Sequence, residues 1–362
     1  MAVAYVLEQN TSVRLEGERL IIERKREVLH ALHIYKLNQL VLFGNVSITP
    51  PVIRRLLRDG IDTIFMSRNG RYRGRLQPPM SKNISLRCEQ FDKLRKDAFC
   101  LHAARSIVAG KLANMKTVLM RLNRNREDLA LENHILQIKN LQKKAGEADT
   151  LDTVRGFEGR ASAVYFDGLS EGFLDDDVRF TKRVRRPPTD PVNALLSLGY
   201  TLLFNTVMSA VSLVGFDPYL GSLHVVEYGR PSLALDLMEE WRPVIVDTLI
   251  LSVFNLKSLT LNDFIQEKKL GGDGNAENGI EESVSHSHSD QGGNQAAKLP
   301  VRLTDGGFRK FIVQFERKMN QKVRYEPSGQ QLGYRDCIRE QVRHFARVIR
   351  GEEEEYRPFS MR

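Results

Sequence analysis

Glu158, His224, Asp236 and Glu239 are the residues of this 362-residue chain whose types could do chemistry together. Asp236, Glu239 and the adjoining Glu240 fall in the run Ser232-Leu-Ala-Leu-Asp-Leu-Met-Glu-Glu-Trp-Arg-Pro243. Helical spacing lets the three acids share one face, while Leu233, Leu237, Trp241 and Val244 pack elsewhere. Carboxylates gathered beside a core repel one another, and a bound cation relieves that repulsion. Hard cations take carboxylate oxygens, and an imidazole among them moves the preference toward manganese, or magnesium with manganese. The expected chemistry is that of a divalent metal held by distant segments of the chain.

Taken singly, each residue has a plainer reading. Glu158 lies in Arg155-Gly-Phe-Glu-Gly-Arg-Ala, near the start of an expected helix over 157–167, where an acid complements the helix dipole. His224 follows Gly215-Phe-Asp-Pro-Tyr-Leu-Gly-Ser-Leu, a loop rich in turn signals, where a lone histidine is more often structural. Only the combination with Asp236 and Glu239 raises the metal reading. Pro243 is expected to kink the carboxylate helix just after its acids. His286 and His288, on a polar stretch, lack a third ligand or a supporting shell.

Basic clusters point to a polyanion. The chain carries 54 Lys and Arg against 45 Asp and Glu, and residues 299–350 alone hold 12 basic and 5 acidic side chains. Arg335, Arg339, Arg343, Arg347 and Arg350 recur at helical spacing opposite Ile338, Val342, Phe345 and Ile349. A second cluster, Arg179, Lys182, Arg183, Arg185 and Arg186, precedes the Pro187-Pro188 break. A solvated helix face and a charged loop account for each alone. Together, flanking a metal site, they favour DNA phosphate, with anionic membrane second.

The elements that must position these residues read as α+β, a small mainly-β domain followed by a larger all-α domain. Over residues 1–82, Ser12 to Glu23 alternates around a Gly17 turn, and 37–43 and 63–66 are short apolar runs. Thr49 as N-cap, Pro50 and Pro51 in the first turn and Gly60 at the end bracket one helix, and Arg68-Asn69-Gly70-Arg71 reads as a hairpin turn. No glycine-rich phosphate loop follows a strand. Residues 83–93 read as a linker, and 94–350 as the helical catalytic domain, with periodicity of 3.6 over 86–122, 127–145, 157–167, 191–213, 232–256 and 335–350. Within it, 271–298 is polar and reads as a disordered insertion, and 351–362 as an acidic tail.

Three cysteines without paired spacing argue against a zinc ribbon or a secreted disulfide framework, so a reducing, cytoplasmic setting is expected. The N-terminus lacks the pattern of a signal peptide. Residues 191–216 carry no charge and are long enough to span a bilayer. Asn193, Ser197, Thr201, Asn205, Thr206, Ser209 and Ser212 interrupt them, which favours a buried pair of core helices.

Through Glu158-Gly-Arg-Ala, Asp190-Pro-Val-Asn-Ala-Leu-Leu-Ser-Leu-Gly-Tyr, Gly215 to His224 and Leu233 to Pro243, the chain closely resembles the CRISPR-associated protein one family of spacer-acquisition nucleases and integrases. The resemblance spans most of the helical domain. It implies that Glu158, His224 and Glu239 ligate Mg2+ or Mn2+, with Asp236 a nearby assisting acid; some members carry aspartate where this chain has Glu239. It implies a homodimer formed through the β domain, a small ferredoxin-like CRISPR partner that bridges two dimers, and double-stranded DNA, both spacer fragments and repeat, as substrate. It also implies a soluble core, not a membrane span, for residues 191–213. The reaction implied is attack of a 3′ hydroxyl, or of water, on a phosphodiester. A non-catalytic DNA-binding scaffold is the rival reading, and a hydrolase of small phosphoesters would not need two arginine clusters.

If the basic clusters bind phosphates, affinity for duplex DNA falls steeply and linearly on a log–log plot as salt rises, because counterions are released. A filter-binding titration across salt concentrations checks this, and a flat response would make the clusters solvated faces.

Overall fold

A computed structural model describes residues 2–77, 83–126, 128–184, 187–266 and 299–361. The expected insertion at 271–298 with its two histidines, and Arg185 and Arg186 of the second basic cluster, lie outside the described residues. The chain divides into two compact units near residue 80.

The first unit is built on two four-stranded sheets. Its elements are β1 (Ala2–Val6), β2 (Thr11–Glu16), β3 (Arg19–Arg24), β4 (Glu27–His33), β5 (Leu37–Phe43), β6 (Val46–Ile48), helix α1 (Pro50–Arg58), β7 (Asp62–Met66) and β8 (Tyr72–Leu76). One sheet runs β1-β5-β7-β8, parallel except for the β7–β8 hairpin; the other runs β4-β3-β2-β6, antiparallel except for β2 with β6. β5 is the apolar run seen in the sequence, and its central place explains why it does not alternate, since both of its faces are covered. Val6, Val13, Leu20, Leu40, Val52 and Leu56 meet in the core between sheet and helix. α1 starts where the prolines fit its first turn. Thr49 is its N-cap residue by backbone, without a side-chain capping bond. Gly70 takes a φ of 82° in the turn joining β7 and β8.

The second unit comprises α2 (Ile84–Leu94), α3 (Asp97–Asn125), α4 (Glu132–Glu147), α5 (Leu151–Ser170), α6 (Pro191–Val214), α7 (Ser232–Met238), α8 (Thr248–Asn255), α9 (Asp305–Asn320) and α10 (Tyr334–Arg350). Two ribbons, β9 (Phe264–Gln266) with β10 (Val301–Leu303) and β11 (Lys322–Tyr325) with β12 (Gln330–Gly333), add short strands that the sequence reading did not contain. Nor did it contain α9, although Phe308, Phe311, Ile312 and Phe315 form a buried helical stripe behind the Thr304 cap. The segment read as a linker forms α2, buried on its Leu86, Gln90 and Leu94 face.

α6 is one continuous helix, not a pair. Asp190 caps it, accepting the Asn193 N–H at 2.8 Å, and Gly215 ends it in the left-handed region. Among the described residues it is the helix long and apolar enough to cross a membrane, and 78% of that window is buried in the unit. A Cβ at Gly199 would lie 2.6 Å from Val246 Cγ1, so glycine sets how closely α6 approaches the chain after α7. There, Pro243 has its effect: it has no N–H to give, and residues Arg242–Asp247 form a wider π-helical turn between α7 and α8.

The residues after α10 are more than an acidic tail. Past the glutamates, Tyr356, Phe359 and Met361 are buried, and Phe359 stacks on Trp241 at 4.5 Å between ring centres. Here Glu240 is sealed in, accepting the Phe359 N–H at 2.7 Å and the Tyr356 hydroxyl at 3.0 Å. Burial pushes its carboxyl up to about 8 in spite of those bonds, and pushes Asp247 up to about 6 in spite of the Tyr200 hydroxyl at 2.6 Å. Both folded values lie above the unfolded ones of 4.5 and 3.8, so the folded state binds the extra protons and stability is lost as pH rises toward 8. The melting temperature is therefore expected to fall between pH 5 and 8, and Glu240→Gln to flatten that fall; calorimetry across the range, with an unchanged slope in the variant, would refute it.

Candidate active site

Asp236 of α7 and the two acids just past its end, Glu239 and Glu240, do not meet the same neighbours: α7 ends at Met238, and the three point into different surroundings. Glu240 faces the C-terminal segment, as described, and takes no part in the site.

Asp236 is fully buried and faces the loop that carries His224. Its Oδ2 accepts the Leu223 N–H at 2.9 Å, the Ser222 N–H and, at 3.2 Å, the Ser222 hydroxyl. Its Oδ1 accepts the His224 N–H at 2.9 Å and faces the His224 ring Nδ1 at 2.7 Å. Successive N–H groups curled round a carboxylate form a nest, here filled by the protein's own side chain. The fit needs glycine at 221, because a Cβ there would sit 2.6 Å from Asp236 Oδ2 and 2.7 Å from the Ser232 carbonyl carbon. With Nδ1–H given to Asp236, the lone pair of the neutral ring is on Nε2. Asp236 thus positions His224 and its oxygens are committed to that loop.

Glu158 is the eighth residue of α5, two turns inside a helix that begins earlier than the sequence suggested. An acid that deep lies beyond the first turn, so the helix dipole does not account for it. Its Oε1 accepts the Ser162 hydroxyl at 2.8 Å and the ammonium of Lys111. One turn earlier on α5, Arg155 donates to the Leu223 carbonyl at 2.6 Å and so ties the His224 loop to the helix of Glu158. Glu239, at the end of α7 and 2% exposed, pairs with the same Lys111 ammonium through Oε2 and with Arg242 through Oε1 at 2.9 Å. Arg242 lies 4.7 Å from the centre of the Tyr200 ring, whose hydroxyl holds Asp247.

The four expected residues are therefore gathered in two pairs, Glu158 with Glu239 through Lys111, and His224 with Asp236. Among the described residues no three His, Cys, Asp or Glu side chains converge as a ready metal cage. The donor chemistry still fits a divalent cation: two carboxylates from different helices already share one positive charge, and an imidazole stands on the loop fastened to one of those helices. Lys111, Arg155 and Arg242 escaped the sequence reading. For Lys111 a signal existed, as it interrupts the buried face of α3 formed by Ala104, Ile107, Val108, Leu112 and Met115. For Arg155 and Arg242 there was none.

The basic residues are placed unevenly. Arg179 and Lys182 are exposed. Arg183 is half-buried and structural, donating to the Val184 carbonyl, to Asn193 Oδ1 at 3.0 Å and to the Ser197 hydroxyl at 3.1 Å. The α10 row is matched by acids of its own chain: Arg335 with Glu316 at 2.7 Å, Arg339 with Asp336 at 3.5 Å, and Arg343 with Glu340.

Comparison with known proteins agrees with this architecture. A CRISPR-associated endonuclease Cas1 of Thermus thermophilus is 34% identical over 364 aligned positions, covering 100% of this chain and 98% of that one. The fold is shared with a casposase solved bound to its integration product, with a TM-score of 0.82 at 21% identity, over 100% of this chain and 95% of that one. It is shared also with a chain of a Cas6-RT-Cas1–Cas2 complex, with a TM-score of 0.79 at 22% identity, over 99% of this chain and 36% of that one. The signature of the family described as CRISPR associated protein Cas1 matches residues 4–275, and this chain belongs to that family.

Proposed function

We propose that the protein is a metal-dependent DNA endonuclease and integrase that inserts spacer DNA into a CRISPR array. The observation that carries the reading is the meeting of Glu158 and Glu239 at one cation, with the His224 loop bound to the helix of Glu158 through Arg155. Membership of a family whose relative is named an endonuclease, and a fold shared with a casposase captured on its integration product, support it.

In this reading Glu158, Glu239 and His224 hold Mg2+ or Mn2+, which when bound polarises the scissile phosphate and favours attack by a 3′ hydroxyl or by water. The protein's own groups supply the rest. Asp236 holds the His224 ring at Nδ1, and Arg242 holds Glu239 and is itself stacked on Tyr200. In strand transfer the attacking oxygen forms one phosphorus–oxygen bond as the target strand's own is broken, so little net energy is needed. Positioning of the two DNA ends is then the protein's main task. Arg179 and Lys182, exposed beside α6, and Arg343, the outermost of the α10 row named above, are assigned to the DNA backbone. The protein acts as a homodimer, formed through the β unit, whose edge strand β4 leaves Val28 exposed. A small ferredoxin-like CRISPR partner joins two such dimers; association with a partner is supported by the fold shared with a chain of a Cas6-RT-Cas1–Cas2 complex. Its place of work is the reducing cytoplasm, in keeping with free thiols at Cys88, Cys100 and Cys337.

The test is joining of a short duplex with 3′-hydroxyl ends into a supercoiled plasmid bearing the repeat, with Mn2+ and the small partner. His224→Ala and Glu239→Ala are expected to lose joined product while still binding DNA; variants that join strands as wild type does would leave a scaffold role instead. Asp236→Asn, which loosens the histidine without removing a ligand, is expected to cost about 10- to 100-fold in joining rate. An undiminished rate would relieve Asp236 of its positioning role.

A further inference from the structure

Lys111 sets its ammonium between Glu158 and Glu239, the two carboxylates that would hold a metal ion. We propose that it is the resident counter-cation of the site: its ammonium keeps the two carboxylates together without a divalent ion, and an incoming ion must displace it. The inference rests on the metal-site reading above and goes beyond it, since it makes a residue of α3 the setter of metal affinity.

Three observations carry it. Lys111 is only 6% exposed, and its ammonium touches one oxygen of Glu158 and one of Glu239. A lysine rarely gives up its hydration for an apolar helix face unless a charge partner awaits it. Second, α3 is locked so that Lys111 is delivered there. One turn on, Asn114 donates to the Glu240 and Phe359 carbonyls, both at 2.9 Å, and accepts the Met361 N–H at 2.8 Å. At the preceding position, Gly110 lies so close to Pro358 that a Cβ would come within 2.3 Å of it. The backbone of Lys111 therefore cannot withdraw, and only its flexible side chain can move.

Third, both carboxylates are already answered: Glu158 pairs with Lys111, and Glu239 with Lys111 and Arg242. A divalent ion added beside the ammonium would crowd positive charge into a poorly solvated site. The crowding is relieved if the ammonium swings out to a DNA phosphate. Metal and DNA are thus expected to load together, with Lys111 as the group that couples them.

Isothermal titration of the full chain with Mn2+, in the absence of DNA, tests this with Lys111→Met, Lys111→Arg and Glu239→Ala. Lys111→Met is expected to bind Mn2+ at least tenfold more tightly than wild type, and Lys111→Arg to stay near wild type. Equal or weaker binding by Lys111→Met, with binding still abolished by Glu239→Ala, overturns the counter-cation and leaves the metal site standing. No binding by any variant, even with a DNA duplex added, overturns both. Should Lys111→Met not fold, the wild type gives the answer: acetylation of Lys111 by an amine-reactive ester, read by mass spectrometry, is expected to rise at least threefold when Mn2+ is added. Unchanged labelling at Mn2+ concentrations that raise the melting temperature overturns the displacement.

Discussion

A carboxylate taken out of water must meet positive charge or a set of donors, and the second unit is arranged around that demand. Several of its acids are buried or nearly so, and they are answered in different ways. Asp236 is wrapped by the N–H groups of a loop, and Glu158 and Glu239 share an ammonium. Glu240 is enclosed by the C-terminal segment and driven toward its neutral form. Because the answering groups come from α3, α5, the His224 loop and the last residues described, satisfying these acids fastens the helices to one another. The geometry of the candidate site and the stability of the fold rest here on the same set of contacts.

That coupling explains some local choices that propensity alone does not. Gly221 and Gly110 are where backbone or a proline ring comes too close for any side chain. The π-helical turn after α7 widens the helix directly beyond Glu239 and Glu240, and its first residue, Arg242, reaches back to Glu239. None of these is a strong signal in a single sequence, since each depends on what approaches from elsewhere in the chain.

Legibility followed the range of the interaction. The proline start of α1 and the hairpin at Gly70 rest on local backbone preferences, and the structure has them where the sequence reading put them. The α+β order was readable from the change of hydrophobic period. Glu158, His224, Asp236 and Glu239 were found through type, spacing and family resemblance, and the structure pairs them. Spacing misled where it was asked for direction: the three acids fit one face of a continuing helix, but α7 ends at Met238 and each acid finds a different partner. The α10 arginines likewise looked like a basic stripe because the acids that answer several of them, Glu316 on α9 and Glu353 beyond the helix, are not part of the stripe itself. Lys111 went unread because its partners are 47 and more residues away.

The C-terminal segment has a consequence in time. Glu240 receives its backbone donor from Phe359, 119 residues later in the chain, and Asn114 of α3 receives one from Met361, 247 residues later. During synthesis the ribosome must therefore finish all of α9 and α10 and release residues 359–361 before α3 and the Glu239–Glu240 segment can be clasped. Until then the nascent chain holds the acids of the candidate site without the frame that aligns them.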